Sequence, residues 1–456
     1  MQNSTNNHTT IAAAATGPGG AIALIRLSGP QAIAIAEKVF SKPLADAPGY
    51  TVHFGTIADG ERILDEVLVT LFRASKSYTG EDMVEISCHG SSYITREILA
   101  LLIRHGAVPA TAGEFTRRAF LNGKLDLSQA EAVADLIASE SGAAHRIALN
   151  QMRGGYAAEL AGLRAELLHI TSLLELELDF SEEDVEFADR SELERLLTTI
   201  RNRCRALAGS FRTGNVLKNG VPVAIVGAPN AGKSTLLNRL VGEERAIVSD
   251  IAGTTRDFIE ESLTLEGIRF RFIDTAGLRH TDDEIEALGI ERTKERISRS
   301  TLILLLVSEP LPPSEIEERI RSLQLSDDQR LILLFNKSDL WDTALLTEKF
   351  ASACPVLSIA ARTGEGVEAL KALLIQSVET DIPDDSLIVS NIRHYEALLH
   401  ASEALDRAIA GVARGLPADL ISEEVRQVLH YLGTITGEIT TDDILGNIFS
   451  KFCIGK

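Results

Sequence analysis

Near the middle of the chain, Gly227-Ala-Pro-Asn-Ala-Gly-Lys-Ser234 constrains the fold more than any other stretch. It follows an apolar run, Val221–Val226, and precedes a helical pattern that begins at Thr235–Leu240. A glycine-rich loop between strand and helix turns backbone N–H groups toward phosphate oxygens, and the helix N-terminus adds partial positive charge. Gly227 and Gly232 permit the curl, Lys233 puts a cation between the β- and γ-phosphates, and Ser234 offers its hydroxyl to Mg²⁺. Such a match also turns up in unrelated loops; the strand before it and the helix after it select the P-loop reading.

Two further motifs follow apolar runs. Asp274-Thr-Ala-Gly277 comes after Arg269–Ile273, where an Asp at a strand end reaches Mg²⁺ through water and Gly277 turns its N–H to the γ-phosphate. Asn336-Lys-Ser-Asp339 comes after Leu331–Phe335. A carboxylate there accepts from guanine N1 and the exocyclic amine, two donors that adenine lacks, so Asp339 favours GTP over ATP. The competing ATPase reading makes Asp339 a plain helix cap. Gly253-Thr-Thr-Arg-Asp257 lies between these motifs, where a switch segment places a Thr on the metal, here Thr255. Leu278 stands where a Ras-like chain uses Gln to orient the attacking water. The acidic candidates for that task are Asp282, Asp283, Glu284 and Glu286, which also suit a solvated acidic loop.

The rest of the chain frames this unit. Its 456 residues predict about three domains. Ala21–Leu27, Glu66–Phe72 and Met83–Ser87 read as strands and Ile94–His105 as a helix, an α+β domain over 1–121. Leu160, Leu163, Leu167, Ile170, Leu174 and Leu178 step by three or four, one apolar stripe of a bundle helix within 122–217. Within 218–380, Val223–Val226, Arg269–Ile273, Leu302–Val307, Leu331–Phe335 and Val356–Ile359 alternate with helical patterns, the rhythm of a parallel sheet. A stripe returns at Tyr395, Leu398, Leu405, Ile409 and Val412, within 381–456. The expected architecture is multidomain α/β and α: an N-terminal α+β domain and a discontinuous helical bundle into which a P-loop (Ras-like) G domain is inserted.

Composition narrows the partners. A net charge of −20 rules out nucleic-acid binding by bulk attraction, so an RNA partner needs a local basic patch or a second subunit. Cys88, Cys204, Cys354 and Cys453 are far apart without metal-ligand spacing and read as reduced thiols. Met1–Thr10 lacks the basic and apolar regions of a signal peptide, and Leu302–Val307, the longest aliphatic run, falls short of the roughly 20 residues that span a bilayer. A cytoplasmic location without a membrane partner is expected. Gly17-Pro-Gly-Gly20 precedes a strand instead of following one, so it is no dinucleotide fingerprint.

Several stretches together carry a resemblance. They are Ile11-Ala-Ala-Ala-Ala-Thr16, Ile25-Arg-Leu-Ser-Gly29, Tyr78-Thr-Gly-Glu-Asp82, Gly113-Glu-Phe-Thr-Arg-Arg-Ala-Phe120, Asn122-Gly-Lys-Leu-Asp-Leu127, Pro229-Asn230, Gly253-Thr-Thr-Arg-Asp257 and Cys453-Ile-Gly-Lys456. Over its whole length the chain resembles the MnmE (TrmE) family of tRNA-modification GTPases. The resemblance implies that the N-terminal domain binds folate and dimerises. It implies nucleotide contacts from Asn230, Ala231, Gly232, Lys233, Ser234 and Thr235, from Ser249, Asp250, Ile251, Ala252, Gly253, Thr254 and Thr255, and from Asp274, Thr275, Ala276 and Gly277. Asn336, Lys337 and Asp339, with Ala360, Ala361 and Arg362, complete that set. It implies potassium held by Asn230, Ser249, Ile251 and Thr254, magnesium on Ser234 and Thr255, and Glu286 as the catalytic residue that aims the water. Where G proteins usually carry Ser-Ala, this chain has Ala360-Ala361; the Ala361 N–H still reaches the guanine oxygen, but a hydroxyl is lost, so weaker nucleotide affinity is expected.

The resemblance also implies a 5-formyltetrahydrofolate-type ligand at Arg26, Glu85, Lys124 and Lys456, each of which alone reads as a surface charge. Glu85 suits pterin donors, and Arg26 and Lys124 suit carboxylates. Cys453 is a candidate reactive thiol near the folate or the uridine, or else a buried helix-end thiol. The implied reaction builds an aminomethyl-type (carboxymethylaminomethyl) group on C5 of the tRNA wobble uridine. It needs a homodimer and an FAD-dependent partner, MnmG (also called GidA), in a heterotetramer-type complex with tRNA as substrate. The rival is a regulatory GTPase of ribosome assembly without modification chemistry; such proteins usually carry an RNA-binding module and a basic region, and neither is visible here.

Overall fold

The computed structural model describes residues 9–179, 190–242, 261–273, 297–327, 329–378 and 387–455. Contacts divide the chain into two compact units, both discontinuous in sequence. One comprises Met1–Ile137, Leu149–Cys204 and Glu396–Lys456, the other Ala138–Ala148 and Arg205–Tyr395. Together they are a multidomain α/β and α architecture.

The first unit is built on a six-stranded sheet. Its strands are β1 (Ile11–Ala14), β2 (Ile22–Ser28), β3 (Thr51–Asp59), β4 (Arg62–Phe72), β5 (Met83–His89) and β6 (Val108–Pro109), in the order β3-β4-β5-β2-β1-β6. Period-two alternation sends Ala23, Ile25 and Leu27 of β2, Val67, Val69 and Leu71 of β4, and Val84, Ile86 and Cys88 of β5 into one core. Helices Ala32–Val39 and Ser92–Arg104 cover that face with Ile35, Ile98, Leu101 and Leu102. A fully buried Ile or Leu in this layer contributes about 1.5–3 kcal/mol. The same alternation turns Arg26 to the opposite face, and the register sets it beside Ala13 on β1 and Glu85 on β5.

Helix Gly155–Asp179 packs along Ala418–Thr436, and Leu160, Leu163, Leu167, Ile170 and Leu174 are buried as the stripe predicts. Helix Asp442–Phe449, capped by the Thr441 hydroxyl, joins Leu445, Phe449 and Phe452 to Leu127 and Ala130. Beyond it the chain bridges Ile454 to Ala112 and reaches Gly455, whose φ is +94°. A Cβ there would sit 2.3 Å from the Ala14 carbonyl oxygen, so only glycine lets the tail lie across the end of β1.

The second unit contains β7 (Val221–Gly227), β8 (Glu261–Leu265), β9 (Ile268–Phe272), β10 (Leu302–Val307), β11 (Arg330–Asn336) and β12 (Val356–Ile359). The order is β12-β11-β10-β7-β9-β8, parallel except for the β8–β9 pair. All six residues of β10 are buried, which explains its unbroken aliphatic run. The chain leaves β7 toward β9 and then returns on its other side with β10. In open α/β sheets such a switch point is where ligands bind, at the strands' carboxyl ends, and Gly227 and Asn336 lie there. Among the described residues, no helix is long and apolar enough to cross a membrane.

Candidate functional site

Gly227 ends β7, and helix Lys233–Gly242 starts six residues later, anchored by Leu236, Leu237 and Leu240. Between them Asn230 is exposed and holds a left-handed φ of +59°, an uncommon conformation for a non-glycine residue. Lys233 folds back so that Nζ donates to the carbonyls of Gly227 and Ala228 at 2.8 and 2.7 Å, placing its ammonium over the loop. Ser234 is half-buried and Thr235 exposed in the first helical turn.

Asn336 connects the three segments. It is 2% exposed at the end of β11. Its Nδ2 donates to the Ala231 carbonyl at 2.7 Å, and its Oδ1 accepts from the Ala361 N–H at 3.0 Å. A Cβ on Gly232 (φ +94°) would lie 2.2 Å from that Nδ2, so the P-loop glycine makes room for the guanine-motif asparagine. The resemblance implies Asn336 as a nucleotide contact; its bridging of the two loops has no signature in the sequence. The Ala361 N–H expected at the guanine oxygen is already donated, so the base must share or displace Asn336 there. Arg239 Nη2 donates to the Arg362 carbonyl at 2.9 Å and steadies the same loop.

Lys337 also takes a left-handed φ, +62°, and the Ser338 N–H donates to Ile359 O at 3.1 Å. Asp339 follows, its side chain 22% exposed and 3.6 Å from the freely exposed Arg362 guanidinium. An ion pair this exposed contributes about 0–1 kcal/mol, so a base competes with it easily. Ser249, Asp250, Ile251, Ala252, Gly253, Thr254, Thr255, Asp274, Thr275, Ala276, Gly277, Glu286 and Lys456 lie outside the described residues.

The first unit gathers a second cluster. Arg26 Nε and Nη2 both donate to Glu85 Oε1, at 2.9 and 2.7 Å, and Nη1 donates to the Gly455 carbonyl at 3.2 Å. The guanidinium carbon lies 5.9 Å from the Tyr78 ring centre and 5.6 Å from that of Phe115. The Tyr78 hydroxyl pairs with Thr116 at 2.9 Å, and burial pushes its phenol above the usual range, so it stays neutral. The structure therefore joins Arg26, Glu85 and the tail that leads to Lys456. Lys124 instead donates to Ser75 O at 2.8 Å in a cleft of about 600 Å³ lined also by Pro30, Gly80, Glu81 and Asn122. Tyr78 belongs to the loop between the two.

The buried-thiol alternative for Cys453 fails: this cysteine is exposed, because the chain has left the helix and turned along Gly113, whose N–H donates to Cys453 O at 3.4 Å. Cys88 and Cys204 are the buried ones, and desolvation pushes the Cys204 thiol up to about 12, which leaves it inert.

Known proteins resemble the chain along nearly all of it. Two family descriptions match: "GTP-binding protein TrmE N-terminus" over residues 10–124 and "MnmE helical domain" over residues 127–453. A protein of Cytophaga hutchinsonii named "tRNA modification GTPase MnmE" is 52% identical over 99% of each chain. One of Bacteroides thetaiotaomicron with the same name is 49% identical over 99% of this chain and all of its own. Among solved structures, the G domain of the FeoB iron transporter of T. maritima aligns with 35% of this chain and 99% of its own, at 24% identity and a TM-score of 0.26.

Proposed function

The chain belongs to the MnmE family of tRNA-modification GTPases and is a GTP hydrolase, and from that premise we propose its finer activity. It is a potassium-stimulated cytoplasmic GTPase which, as a homodimer with FAD-dependent MnmG, installs the carboxymethylaminomethyl-type group at C5 of the wobble uridine of certain tRNAs. The likeness of 52% over 99% of the chain to a protein named for tRNA modification supports this most. The domains are 1–121, 122–217 rejoined by 381–456, and an inserted 218–380.

In the proposed mechanism the P-loop amides and Lys233 bind the phosphates, and Lys233 exchanges its two carbonyls for phosphate oxygens. Ser234 with Thr255 would hold Mg²⁺. Asn230 would offer its amide oxygen to K⁺ together with Ser249, Ile251 and Thr254; its exposed, left-handed position in the loop supports that role. When bound, the two ions offset the negative charge that grows on the phosphates, the task of an arginine finger elsewhere. Glu286 orients the water, since Leu278 offers no polar atom to do so. Asp339 and Ala361 read the base. Arg26, Glu85, Lys124 and Lys456 hold the folate that supplies the one-carbon unit; Arg26 and Glu85, already paired, would separate to meet a carboxylate and the pterin edge.

Two experiments test this. Bulk tRNA from cells lacking the protein should lose its C5-substituted wobble uridines, and the Cys453→Ser form should fail to restore them. Wild-type nucleosides in the deleted strain would favour the ribosome-assembly reading, and full restoration by Cys453→Ser would end the thiol's role. GTP hydrolysis should run about 10²- to 10³-fold faster in potassium than in sodium, in line with the loss of one preorganised charge-stabilising contact. Asn230→Ala should remove the difference, and equal wild-type rates in the two salts would sink the ion's role.

A further inference from the structure

The chain has one tryptophan, Trp341, two residues past Asp339. Its indole Nε1–H donates to the Asn336 backbone carbonyl at 2.9 Å. Its ring stands edge-on to Phe335, with centroids 5.9 Å apart and planes at 89°. Trp341 therefore holds the end of β11 from the far side of the turn that carries Asp339. Within that turn Lys337 adopts its left-handed φ of +62°, and the Leu340 N–H closes on Lys337 O at 2.8 Å.

The Asn336 side chain is already committed to the P-loop and the guanine loop. Its backbone carbonyl, at the last residue of β11, is a polar group of a nearly buried residue, and such groups need a partner. The indole supplies it, from a position that also fixes where the chain leaves the turn. A carboxylate in a short turn is only as well aimed as the two ends of that turn.

We propose that Trp341 is a positioning residue for guanine recognition. By holding the Asn336 carbonyl it fixes the turn that presents Asp339 to guanine N1–H and the 2-amino group. This rests on Asp339 being the base reader. Packing against Phe335 and Phe350 in the neighbouring core would require only a large apolar ring; the N–H is the part that packing leaves unexplained.

Because Trp341 is the sole tryptophan, growth of an auxotroph on β-(3-benzothienyl)alanine replaces that N–H with sulfur at this position alone and keeps the ring's shape. Affinities for GTP, ITP and ATP are then measured on the full chain. ITP lacks the 2-amino group, so misaiming Asp339 costs GTP two contacts and ITP one. The GTP-to-ITP affinity ratio should fall about threefold to tenfold, the size of one weakened hydrogen bond, with faster GDP release; the carbonyl left without its partner also lowers the thermal unfolding temperature, a loss that by itself does not move the ratio. Trp341→Phe, which keeps an aromatic ring on Phe335, should shift the ratio the same way and stands in if the sulfur form does not fold. An unchanged ratio, or equal losses for GTP and ITP, overturns the role of Trp341. Absence of any GTP-over-ATP preference in the unmodified protein overturns instead the role of Asp339.

Discussion

Asp339→Asn should convert the chain from a binder of guanine nucleotides into a binder of xanthine nucleotides. Guanine offers two donors side by side, N1–H and the 2-amino group, and a carboxylate accepts both. Xanthine keeps N1–H but carries a carbonyl at C2, so it needs one acceptor and one donor. An asparagine amide supplies both in nearly the same shape. Each hydrogen bond to a charged acceptor contributes about 1.5–3 kcal/mol, so exchanging the pair for one neutral bond and a donor facing a donor should lower GTP affinity by about 10²- to 10⁴-fold. The backbone around the position should be undisturbed: the turn is held by Ser338 N–H on Ile359 O and by Leu340 N–H on Lys337 O, not by the Asp339 side chain. Arg362, 3.6 Å away, loses only an exposed partner. Competition binding with GTP and XTP reads the result. A variant that still prefers GTP would show that Asp339 does not face the base.

What the sequence made legible follows from the physics of each segment. Leu302–Val307 is legible to the residue because a buried parallel strand is an uninterrupted apolar run; Val356–Ile359 coincides as well, although this edge strand contains Ser358 and buries only Ile359. Strand β3 carries no such mark: Val52 and Phe54 alternate correctly, yet they are 59% and 57% exposed on an edge strand. Strand β1 is Ile-Ala-Ala-Ala, a composition that favours helix; pairing with β2 and β6 overrides it. At the nucleotide site the phosphate-facing loop was legible because its glycines and lysine are set by the ligand. The connections behind it were not. Asn336 reaches Ala231 across 105 residues and Trp341 turns back on Asn336, and neither contact has a signature in local spacing. The resemblance implies one ligand for Arg26 and Glu85; that they pair directly across β2 and β5 is a matter of strand register, which one sequence does not disclose.

Arg118→Met should destabilise the N-terminal sheet region by about 3–5 kcal/mol, the usual consequence of removing one partner of a buried charge pair. The Arg118 side chain is 5% exposed, and Glu81, its main partner, 13%. Nη1 donates to the Thr9 carbonyl at 2.8 Å and to both Glu81 oxygens at 3.1 and 3.3 Å; Nη2 reaches Glu114 at 3.1 Å. Ser28, itself fully buried, donates to Glu81 Oε2 at 2.7 Å. Methionine fills a similar volume but donates nothing, so the variant keeps the packing and takes the arginine from two carboxylates, Glu81 and Glu114, and from the Thr9 carbonyl. Arg118→Lys keeps the charge without the planar fork that spans Thr9, Glu81 and Glu114, and should recover only part of the loss. The Arg118→Met, Glu81→Gln double variant should be more stable than the sum of the two single losses, since the carboxylate that loses most with Arg118 is then neutral and only the more exposed Glu114 is left without its arginine. Hydrogen exchange of the β2 and β5 amides in the full chain measures all three locally. A loss below about 1 kcal/mol in Arg118→Met would place Arg118 among ordinary surface cations. The large loss would instead explain why an arginine stands in the middle of helix Glu114–Leu121, beneath the loop that carries Tyr78 and borders the Lys124 cleft.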